Sequence, residues 1–252
     1  MCPHRKYVVS LIPARSGSKG VKNKNLRLLQ EKSLIEWSIS ASTRTEMISR
    51  TVVSTNSSEY ADMAMKAGAD VPFLRPDSIS QDQSTDLEFI VHALDFFKKE
   101  GRIPDLIVHL RPTTPFRDPL LMNQAIRMGS ELESGFSAIR SVHEMSESAY
   151  KSFEIAESGN LVSVFSKKRE LDHSNQARQT FPSTYSPNGY IDLLDPKFII
   201  ESGLLHGDNV LPFITEQTIE IDGESDLTMA EALLKVDQKP FNRIFKDEHV
   251  QS

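Results

Sequence analysis

The sequence predicts an α/β protein in which a mostly parallel sheet lies between two layers of helices. In the first half of the chain, short apolar runs alternate with segments of helical periodicity, and the connections between them are short. The chain has 252 residues, of which 38% are hydrophobic and 25% charged, so it can build one core of this kind. We therefore expect a single domain over residues 1–252.

Four apolar runs in the first half are predicted to form strands. Pro13 closes the first run, and Asn56 follows the second. The run that begins at Val71 gives at most a short strand, whereas the run that ends at Leu110 is expected to be buried on both faces. The predicted strands are Tyr7–Ile12, Thr51–Thr55, Val71–Leu74 and Asp105–Leu110.

Helices are predicted between and after these strands. The clearest one carries apolar residues at helical spacing along one face, namely Leu87, Ile90, Val91, Leu94 and Phe97. Another follows the helix-start signal Asn56-Ser57-Ser58 and stops at Gly68. The predicted helices of the first half cover about residues 34–43, 58–67, 84–99 and 119–131.

The pattern changes after Phe136. Short strand-like pieces surround a polar, basic stretch, which predicts a β-rich insertion over residues 137–187. Such an insertion often serves as a dimerisation arm, and the alternative is a long surface loop. The pieces are Phe136–Ile139, Leu161–Phe165 and Tyr190–Leu194, and a last strand at about Thr218–Ile221 precedes a helix at about Asp226–Val236.

Several classes of protein are excluded by composition. No stretch approaches the roughly 20 apolar residues that cross a bilayer, and no apolar signal segment follows the basic start of the chain, so we expect a cytoplasmic protein without membrane contact. The single cysteine, Cys2, excludes an internal disulfide framework and a cysteine-rich zinc site. The histidines lack metal-ligand spacing, and Gly-x-Ser-x-Gly is absent, so a serine hydrolase has no support.

The net charge of −6 is unevenly distributed. Residues 1–32 carry a net charge of +7, and the rest of the chain carries −13. An acidic protein is not expected to bind nucleic acid, whereas a local basic segment favours one anionic ligand held in one place. A solvated basic face is the alternative.

The loop after the first predicted strand combines glycine and positive charge. Gly17 and Gly20 allow a close approach of the backbone to a ligand, while Arg15, Lys19 and Lys24 supply charge. Ligands of open parallel sheets bind at the carboxyl ends of strands, where this loop lies. The loop matches neither the P-loop nor the Gly-x-Gly-x-x-Gly dinucleotide motif, so the pattern predicts a polyphosphate site of another kind.

Several motifs, in order, resemble the acylneuraminate cytidylyltransferases, the family of the CMP-sialic acid synthetases. The similarity spans about residues 7–236, nearly the whole chain, and several blocks in the family's order are more specific than any one block. The blocks are Leu11–Leu26; Ser54-Thr55-Asn56 with Leu74-Arg75-Pro76; Leu110–Arg117; Arg178-Gln179 with Pro182 and Tyr185; Pro187–Ile191; and Ile221-Asp222 with Asp226, Ala230 and Glu231.

The resemblance implies a nucleotide-diphospho-sugar transferase-like fold and a homodimer that uses the insertion as its arm. It implies transfer of CMP from CTP to the anomeric hydroxyl of a 2-keto-3-deoxy sugar acid of neuraminic, legionaminic, pseudaminic or octulosonic type, with release of pyrophosphate and with Mg²⁺ as cofactor. Two alternatives stay open. One is a sugar-1-phosphate nucleotidyltransferase that uses another nucleotide, and the other is a nucleotide-binding homologue without catalysis.

The resemblance also implies a nucleotide site. The residues that match the family's triphosphate loop are Arg15, Ser16, Gly17, Ser18, Lys19, Lys24 and Asn25. Lys22 and Arg27 are expected to be surface charges. Arg75, Asp82, Ser84 and Thr85 match the base-recognising region, although Asp82 and Ser84 could instead begin the following helix, with Ser84 as its N-cap.

The sugar-acid residues implied by the resemblance are Arg111, Thr113, Arg178, Gln179, Tyr185 and Asn188. Arg111 stands where the family commonly has Gln, and it could hold a carboxylate or pair with a nearby acid such as Asp118. Lys167, Lys168 and Arg169 lie in the insertion, where a solvated basic hairpin is the main alternative to contact with a second subunit.

Acidic residues near the end of the matched region are the expected metal ligands. Glu220 and Asp222 would point to one side of the predicted strand, and carboxylates suit Mg²⁺. Asp226 could join them or cap the helix that begins there. Arg15, Lys19 and Asp222 are the expected catalytic residues, through charge neutralisation and metal binding, and no side chain is singled out as a dedicated general base.

Overall fold

A computed structural model describes residues 5–17, 23–132, 135–165 and 171–246. The strands are β1 (Val8–Pro13), β2 (Leu28–Leu29), β3 (Lys32–Ser33), β4 (Arg50–Ser54), β5 (Leu106–His109), β6 (Ala138–Glu144), β7 (Phe153–Ile155), β8 (Leu161–Ser163), β9 (Tyr185–Leu194) and β10 (Val210–Ile214). The helices are α1 (Leu34–Thr43), α2 (Ser58–Lys66), α3 (Asp86–Lys99), α4 (Pro119–Glu131), α5 (Pro196–Ser202), α6 (Glu224–Val236) and α7 (Lys239–Phe245).

Six strands form the central sheet in the order β10-β6-β9-β5-β1-β4. β1 pairs in parallel with β4 and β5, and β10 pairs in parallel with β6. β9 runs antiparallel between β5 and β6 and joins the two parallel groups. The sheet is therefore mixed, and its parallel pairs belong mainly to the half where strands and helices alternate.

The sheet buries a separate apolar cluster on each face. Val8 and Ile12 of β1 belong to a cluster with α1, α4, α6 and α7, whereas Val9 and Leu11 belong to a cluster with α3 and α5. Alternate side chains of one strand thus enter opposite cores, as expected of a sheet covered on both faces. The predicted three-layer α/β fold is confirmed.

Local signals fix the starts of the helices that border the carboxyl edge of the sheet. Thr85 caps α3 in a reciprocal capping box with Glu88. The alternative role of Ser84 as the N-cap was therefore wrong, because its hydroxyl accepts the N–H of Gln81 instead, at 2.9 Å. Asp118 caps α4 by accepting the N–H of Leu120.

The last predicted strand was misplaced. No strand forms at Thr218–Ile221, where the described backbone bond is from Ile221 N–H to the Thr113 carbonyl, at 2.8 Å. The edge strand is instead β10, which pairs with β6. Residues 215–222 therefore run across the carboxyl edge of the sheet rather than within it.

The insertion contains the β7–β8 hairpin. The hairpin follows β6 and precedes β9 along the chain, and it is not part of the six-stranded sheet. Its role as a dimerisation arm stays a prediction. Across the described ranges, no helix combines the length and apolar character that a bilayer crossing requires.

Candidate functional site

A polar cleft of about 220 Å³ lies at the carboxyl ends of β1 and β5, next to the end of β4. This is the edge at which open α/β sheets bind ligands. The cleft also contains Thr85, Asp86 and Phe89 from the start of α3. The residues predicted from sequence that line it are Arg15, Lys24, Asn25, Arg75, Ser84, Arg111 and Thr113.

The first part of the predicted phosphate loop is held by Asn56. The Asn56 side-chain carbonyl accepts the Ser16 N–H at 2.9 Å and the Ser16 hydroxyl at 3.2 Å, and its amide donates to Asp77 at 3.1 Å. Gly17 then turns with a φ of 78°, a conformation that favours glycine. Sequence reasoning treated Asn56 only as a helix-start signal, although it belongs to a quoted motif. Ser18, Lys19 and Lys22 lie outside the described residues.

The cations of the cleft are paired with carboxylates. Arg15 lies 3.0 Å from Asp82, and the Lys24 amine lies 2.9 Å from Asp222 and 3.1 Å from the Ile221 carbonyl. Asn25 is buried and donates to the Arg15 carbonyl at 3.1 Å, so it positions the loop from below. Arg27 forms an ion pair with Glu224 and does not line the cleft, in agreement with its expected role as a surface charge.

Arg75 is nearly buried in the wall of the cleft. Its guanidinium donates to the Ser54 carbonyl at 3.1 Å and lies 5.4 Å from the centre of the Phe89 ring. Burial, with the nearby charge of Arg15, lowers the pKa of Arg75 to about 10, so the side chain stays protonated at neutral pH. Its Nε is buried and has no hydrogen-bond partner among the described residues.

Arg111 is held between two carboxylates from different elements. One terminal nitrogen donates to Asp86 at 2.7 Å and the other to Asp192 at 3.1 Å. Burial alone would lower the pKa of Arg111, but Asp192 and Asp86 raise it overall. The expected alternative partner, Asp118, pairs instead with Arg243 at 2.8 Å.

Asp192 and His109 form the floor below Arg111. Asp192 is 1% exposed in β9, and His109 Nδ1 lies 3.9 Å from it. Burial lowers the pKa of His109 to about 4, so it is neutral at pH 7, as expected of a packed core histidine. Sequence reasoning missed Asp192, although an acid within an apolar strand is itself a signal of a paired, buried charge.

The acidic residues after β10 take different roles. Glu220 lies 3.4 Å from the Thr113 hydroxyl and Asp222 pairs with Lys24, so both carboxylates border the cleft. Asp226 accepts the N–H groups of Asp222 and Gly223 at 2.9 and 2.8 Å, which is a capping arrangement. Within the described ranges, no three acids, histidines or cysteines form a metal-binding group. The donor chemistry of Glu220 and Asp222 fits Mg²⁺, whereas Asp226 is committed to the helix.

The predicted sugar-acid residues of the second half lie outside this cleft. Arg178 and Gln179 line a separate cavity of about 370 Å³ in the insertion, where Arg178 donates to Glu144 and to the Met145 carbonyl, each at 3.0 Å. Tyr185 is exposed at the start of β9. Asn188 is buried and donates to the Thr215 hydroxyl at 2.6 Å, so it joins β9 to the segment after β10. Lys167, Lys168 and Arg169 lie outside the described residues.

A larger cavity of about 700 Å³ lies behind residues 116–118. Apolar groups of Phe116, Leu121, Ile219 and Leu233 form much of its wall, and it contains none of the predicted site residues. A triphosphate needs cations and N–H donors, so the smaller, charged cleft is the better candidate for the nucleotide.

Residues 9–250 match the family model described as cytidylyltransferase. The chain belongs to the cytidylyltransferase family. A relative from Legionella pneumophila, CMP-N,N'-diacetyllegionaminic acid synthase, is 31% identical over 235 residues, which cover 92% of this chain and 98% of the relative. N-acylneuraminate cytidylyltransferase of Escherichia coli O18:K1:H7 is 30% identical over 228 residues, 90% of this chain and 52% of the relative. The chain thus spans about half the length of the E. coli protein.

Two solved structures have a fold similar to that of this chain. A CMP:2-keto-3-deoxy-manno-octonic acid synthetase complexed with CTP matches with a TM-score of 0.67 at 14% identity, covering 92% of this chain and 99% of that one. A 4-diphosphocytidyl-2C-methyl-D-erythritol synthase from Anaerococcus prevotii matches with a TM-score of 0.62 at 13% identity, covering 91% and 99%. At these identities the likeness concerns the fold, and the nucleotide-diphospho-sugar transferase-like fold is confirmed. The predicted family and the enzyme class, nucleotidyltransferase, are confirmed by the family match.

Proposed function

We propose that the protein transfers CMP from CTP to the anomeric hydroxyl of a 2-keto-3-deoxy sugar acid and releases pyrophosphate. The observation that carries the proposal is the single cleft that gathers Arg15, Lys24, Asn25 and Arg75 at the carboxyl edge of the sheet. Relatives named for N-acylneuraminate, legionaminic acid and pseudaminic acid support an acceptor of the sugar-acid class.

In the proposed reaction the anomeric oxygen attacks the α-phosphorus of CTP. A new bond joins this phosphorus to the sugar oxygen, the bond to the bridging oxygen of the β-phosphate breaks, and pyrophosphate leaves with the electron pair. The hydroxyl proton passes to solvent. Reactions of this type depend mainly on positioning and on neutralising charge.

Two cations of the cleft, Arg15 and Lys24, can exchange their carboxylate partners for phosphate oxygens. Arg15 and Lys24 bind Asp82 and Asp222 in the protein alone. Triphosphate oxygens are stronger partners for both, because charge-assisted bonds to several oxygens replace one contact each. We propose that CTP displaces these carboxylates and that Arg15, Lys24 and Lys19 then stabilise the charge that grows on pyrophosphate.

Mg²⁺ is part of the proposal. Glu220 and Asp222 are the residues that would hold it, since both border the cleft. When bound, the ion would neutralise phosphate charge. The release of Asp222 from Lys24 would free one carboxylate and one cation together.

Arg75 is the proposed reader of the base. Its buried guanidinium has an Nε–H donor without a partner among the described residues, and it lies against the Phe89 ring. Cytosine carries a carbonyl and a ring nitrogen that accept hydrogen bonds, which suits this donor.

A cytoplasmic homodimer is proposed for the assembly. The β7–β8 hairpin presents Phe153, Ile155 and Leu161 to solvent, with Ile155 75% exposed. Tyr150 and Phe165 stack beside it with ring centres 4.2 Å apart. Exposed apolar side chains grouped in this way favour contact with another protein surface, and a second copy of the chain is the proposed partner.

Pyrophosphate release tests the proposed function. Purified protein with CTP and Mg²⁺ is combined with a panel of sialic, legionaminic, pseudaminic and eight-carbon acids. Release is expected with at least one acid and not without an acceptor. Parallel reactions with UTP, GTP and dTTP are expected to give none. Release from a sugar 1-phosphate with one of these nucleotides, or no release across the panel, would contradict the proposal.

A further inference from the structure

A buried guanidinium lies directly behind the cleft wall. Arg117 is 1% exposed, at the end of the segment that carries Arg111 and Thr113. It does not line the nucleotide cleft, although it lies in the wall of the larger cavity behind it.

All five N–H donors of the Arg117 guanidinium are used. Nε donates to the Tyr190 carbonyl at 2.6 Å. One terminal nitrogen donates to the Ser38 hydroxyl at 3.0 Å and to the Thr114 carbonyl. The other donates to the carbonyls of Arg111 and Gly189 at 2.8 and 3.0 Å.

The hydrogen-bond partners of Arg117 are mainly peptide carbonyls, while the carboxylates of Asp192 and Glu220 favour its charge only from a distance. Four of its partners are backbone carbonyls, and none of its hydrogen-bond partners in the described part of the chain is a carboxylate. Burial lowers its pKa to about 9, which still leaves it protonated at neutral pH. Removing a buried charge from water is costly, and here the cost is offset by hydrogen bonds that also join separate segments of the chain.

The four carbonyls come from two different walls. Arg111 and Thr114 belong to the segment after β5, while Gly189 and Tyr190 belong to β9. The two walls touch, because a side-chain carbon at Gly189 would come within 3.1 Å of the Thr114 hydroxyl. The two segments are not paired as strands at this point. The Arg117 guanidinium therefore sets the distance between them.

The same segment carries groups that face the cleft. The Thr113 carbonyl accepts the Ile221 N–H at 2.8 Å, and the Thr113 hydroxyl lies 3.4 Å from Glu220. A shift of residues 111–114 would thus move the Arg111 side chain and the acidic segment together.

We infer that Arg117 is a positioning residue for the transfer reaction: it fixes the Arg111–Thr114 wall against Gly189 and Tyr190, and through Thr113 it places the 220–222 segment. The inference rests on the proposed function. Its effect is expected on the chemical step, because misplacement of about 1 Å far from the reacting atoms can cost roughly 100-fold in rate.

Two substitutions of Arg117 form the test. Lysine keeps the charge in Arg117→Lys but cannot reach four carbonyls from two walls. We expect a cooperative melt, a kcat lower by about 100-fold and a KM for CTP within about threefold of wild type. In Arg117→Ala, millimolar guanidinium is expected to raise kcat at least tenfold, with no such rise in wild type.

A control separates positioning from general stability. Arg50→Lys changes an arginine at the start of β4, at the opposite end of the sheet. It is expected to keep kcat within about threefold of wild type. If Arg117→Ala does not fold, the Arg117→Lys variant alone decides the inference, through its kcat, its KM for CTP and its melting curve.

Particular results would overturn the inference. A folded Arg117→Lys variant with wild-type kcat, or a loss of activity that only follows the loss of folded protein and is not restored by guanidinium, would do so. Wild-type protein that releases no pyrophosphate would instead contradict the proposed function.

Discussion

The nucleotide cleft and the insertion differ in how deeply their charged side chains are buried. In the cleft, Arg111 lies between Asp86 and Asp192, of which Asp192 is 1% exposed. In the insertion, Arg178 pairs with Glu144 where both side chains are about half exposed, at 49% and 48%. The Arg111 pairs are therefore largely shielded from water, whereas the Arg178 pair is in contact with water.

This difference in burial predicts where the activity should be sensitive to mutation. Ion pairs in water contribute little, about 0–1 kcal/mol, and are easily rearranged. Partly buried charges are costly to leave unpaired, so changes in the cleft should alter its geometry and its electrostatics together. We therefore expect large effects on turnover in the cleft and effects on assembly or acceptor affinity in the insertion.

The largest effect is expected for Arg15→Ala. It removes a proposed phosphate cation together with its 3.0 Å ion pair with Asp82. Turnover should fall by roughly 1000-fold, the range for a cation that stabilises phosphoryl transfer. Pyrophosphate release measures it. The matched control is Arg27→Ala, which removes a surface ion pair with Glu224 and should leave kcat within about twofold. Equal losses in both variants would contradict the assignment of the cleft.

Asp222→Asn should give the next largest effect. The variant loses the carboxylate that pairs with Lys24 and is the proposed ligand of Mg²⁺. We expect kcat to fall by about 100-fold and half-maximal activity to need roughly tenfold more Mg²⁺. A magnesium titration of pyrophosphate release measures both, and Glu224→Gln, two residues away, is the control. An unchanged magnesium requirement would remove Asp222 from the metal site.

The strands and the loop that form the cleft in the first half of the chain were predictable, because the sequence patterns that indicate them are local. Buried strands gave apolar runs, and the glycine-containing basic loop followed the first of them. The structure brings Arg15, Lys24, Asn25, Arg75, Arg111 and Thr113 together in one cleft, and the roles that the family resemblance implies for them stay predictions. The bracketing of Arg111 was not predictable, because Asp86 and Asp192 are 25 and 81 residues away along the chain.

The second half was less predictable because its pairings are long-range. β10 was missed since Pro212 interrupts its apolar run, although a proline within such a run is typical of an edge strand, which β10 is. The alternating segment at Thr218–Ile221 was mistaken for a strand. Its alternation arises because Ile219 and Ile221 pack against the apolar cluster on one face of the sheet, while the backbone bonds to Thr113 and not to a sheet strand.

Ile155→Lys tests the insertion as an arm. Ile155 is 75% exposed in the β7–β8 hairpin, so a charge there costs little in the isolated chain but is unfavourable within an apolar interface. Light scattering should show a dimer for wild type and a mostly monomeric variant. Ile200→Lys on α5, 49% exposed on another surface, is the control and should stay dimeric. A monomeric wild type would contradict the proposed homodimer.

Arg178→Gln should give a smaller, selective effect. If the insertion contributes to acceptor binding, KM for the sugar acid should rise by about tenfold while KM for CTP stays unchanged, as for the loss of one exposed charge contact. Steady-state kinetics with each substrate varied in turn measures the split. Lys151→Gln, which removes another insertion cation paired with Glu147, is the control. A rise in KM for CTP instead would place Arg178 with the nucleotide.

Asp226→Asn should give the smallest effect and decides between its two expected roles. Hydrogen bonds from the N–H groups of Asp222 and Gly223 lower the pKa of Asp226 below its ordinary value. A carboxyl whose pKa is lower when folded stabilises the protein above its unfolded pKa, about 3.9, and this contribution is lost as the pH falls through the folded value. The variant should therefore melt at a lower temperature than wild type at pH 7, and the difference should narrow below about pH 4. Glu231→Gln on the same helix is the control and should leave the melting temperature unchanged.

Because Asp226 caps α6 in the structure, kcat of Asp226→Asn should stay within about threefold of wild type, and the Mg²⁺ titration should not shift. A shift like that of Asp222→Asn would return Asp226 to the metal site.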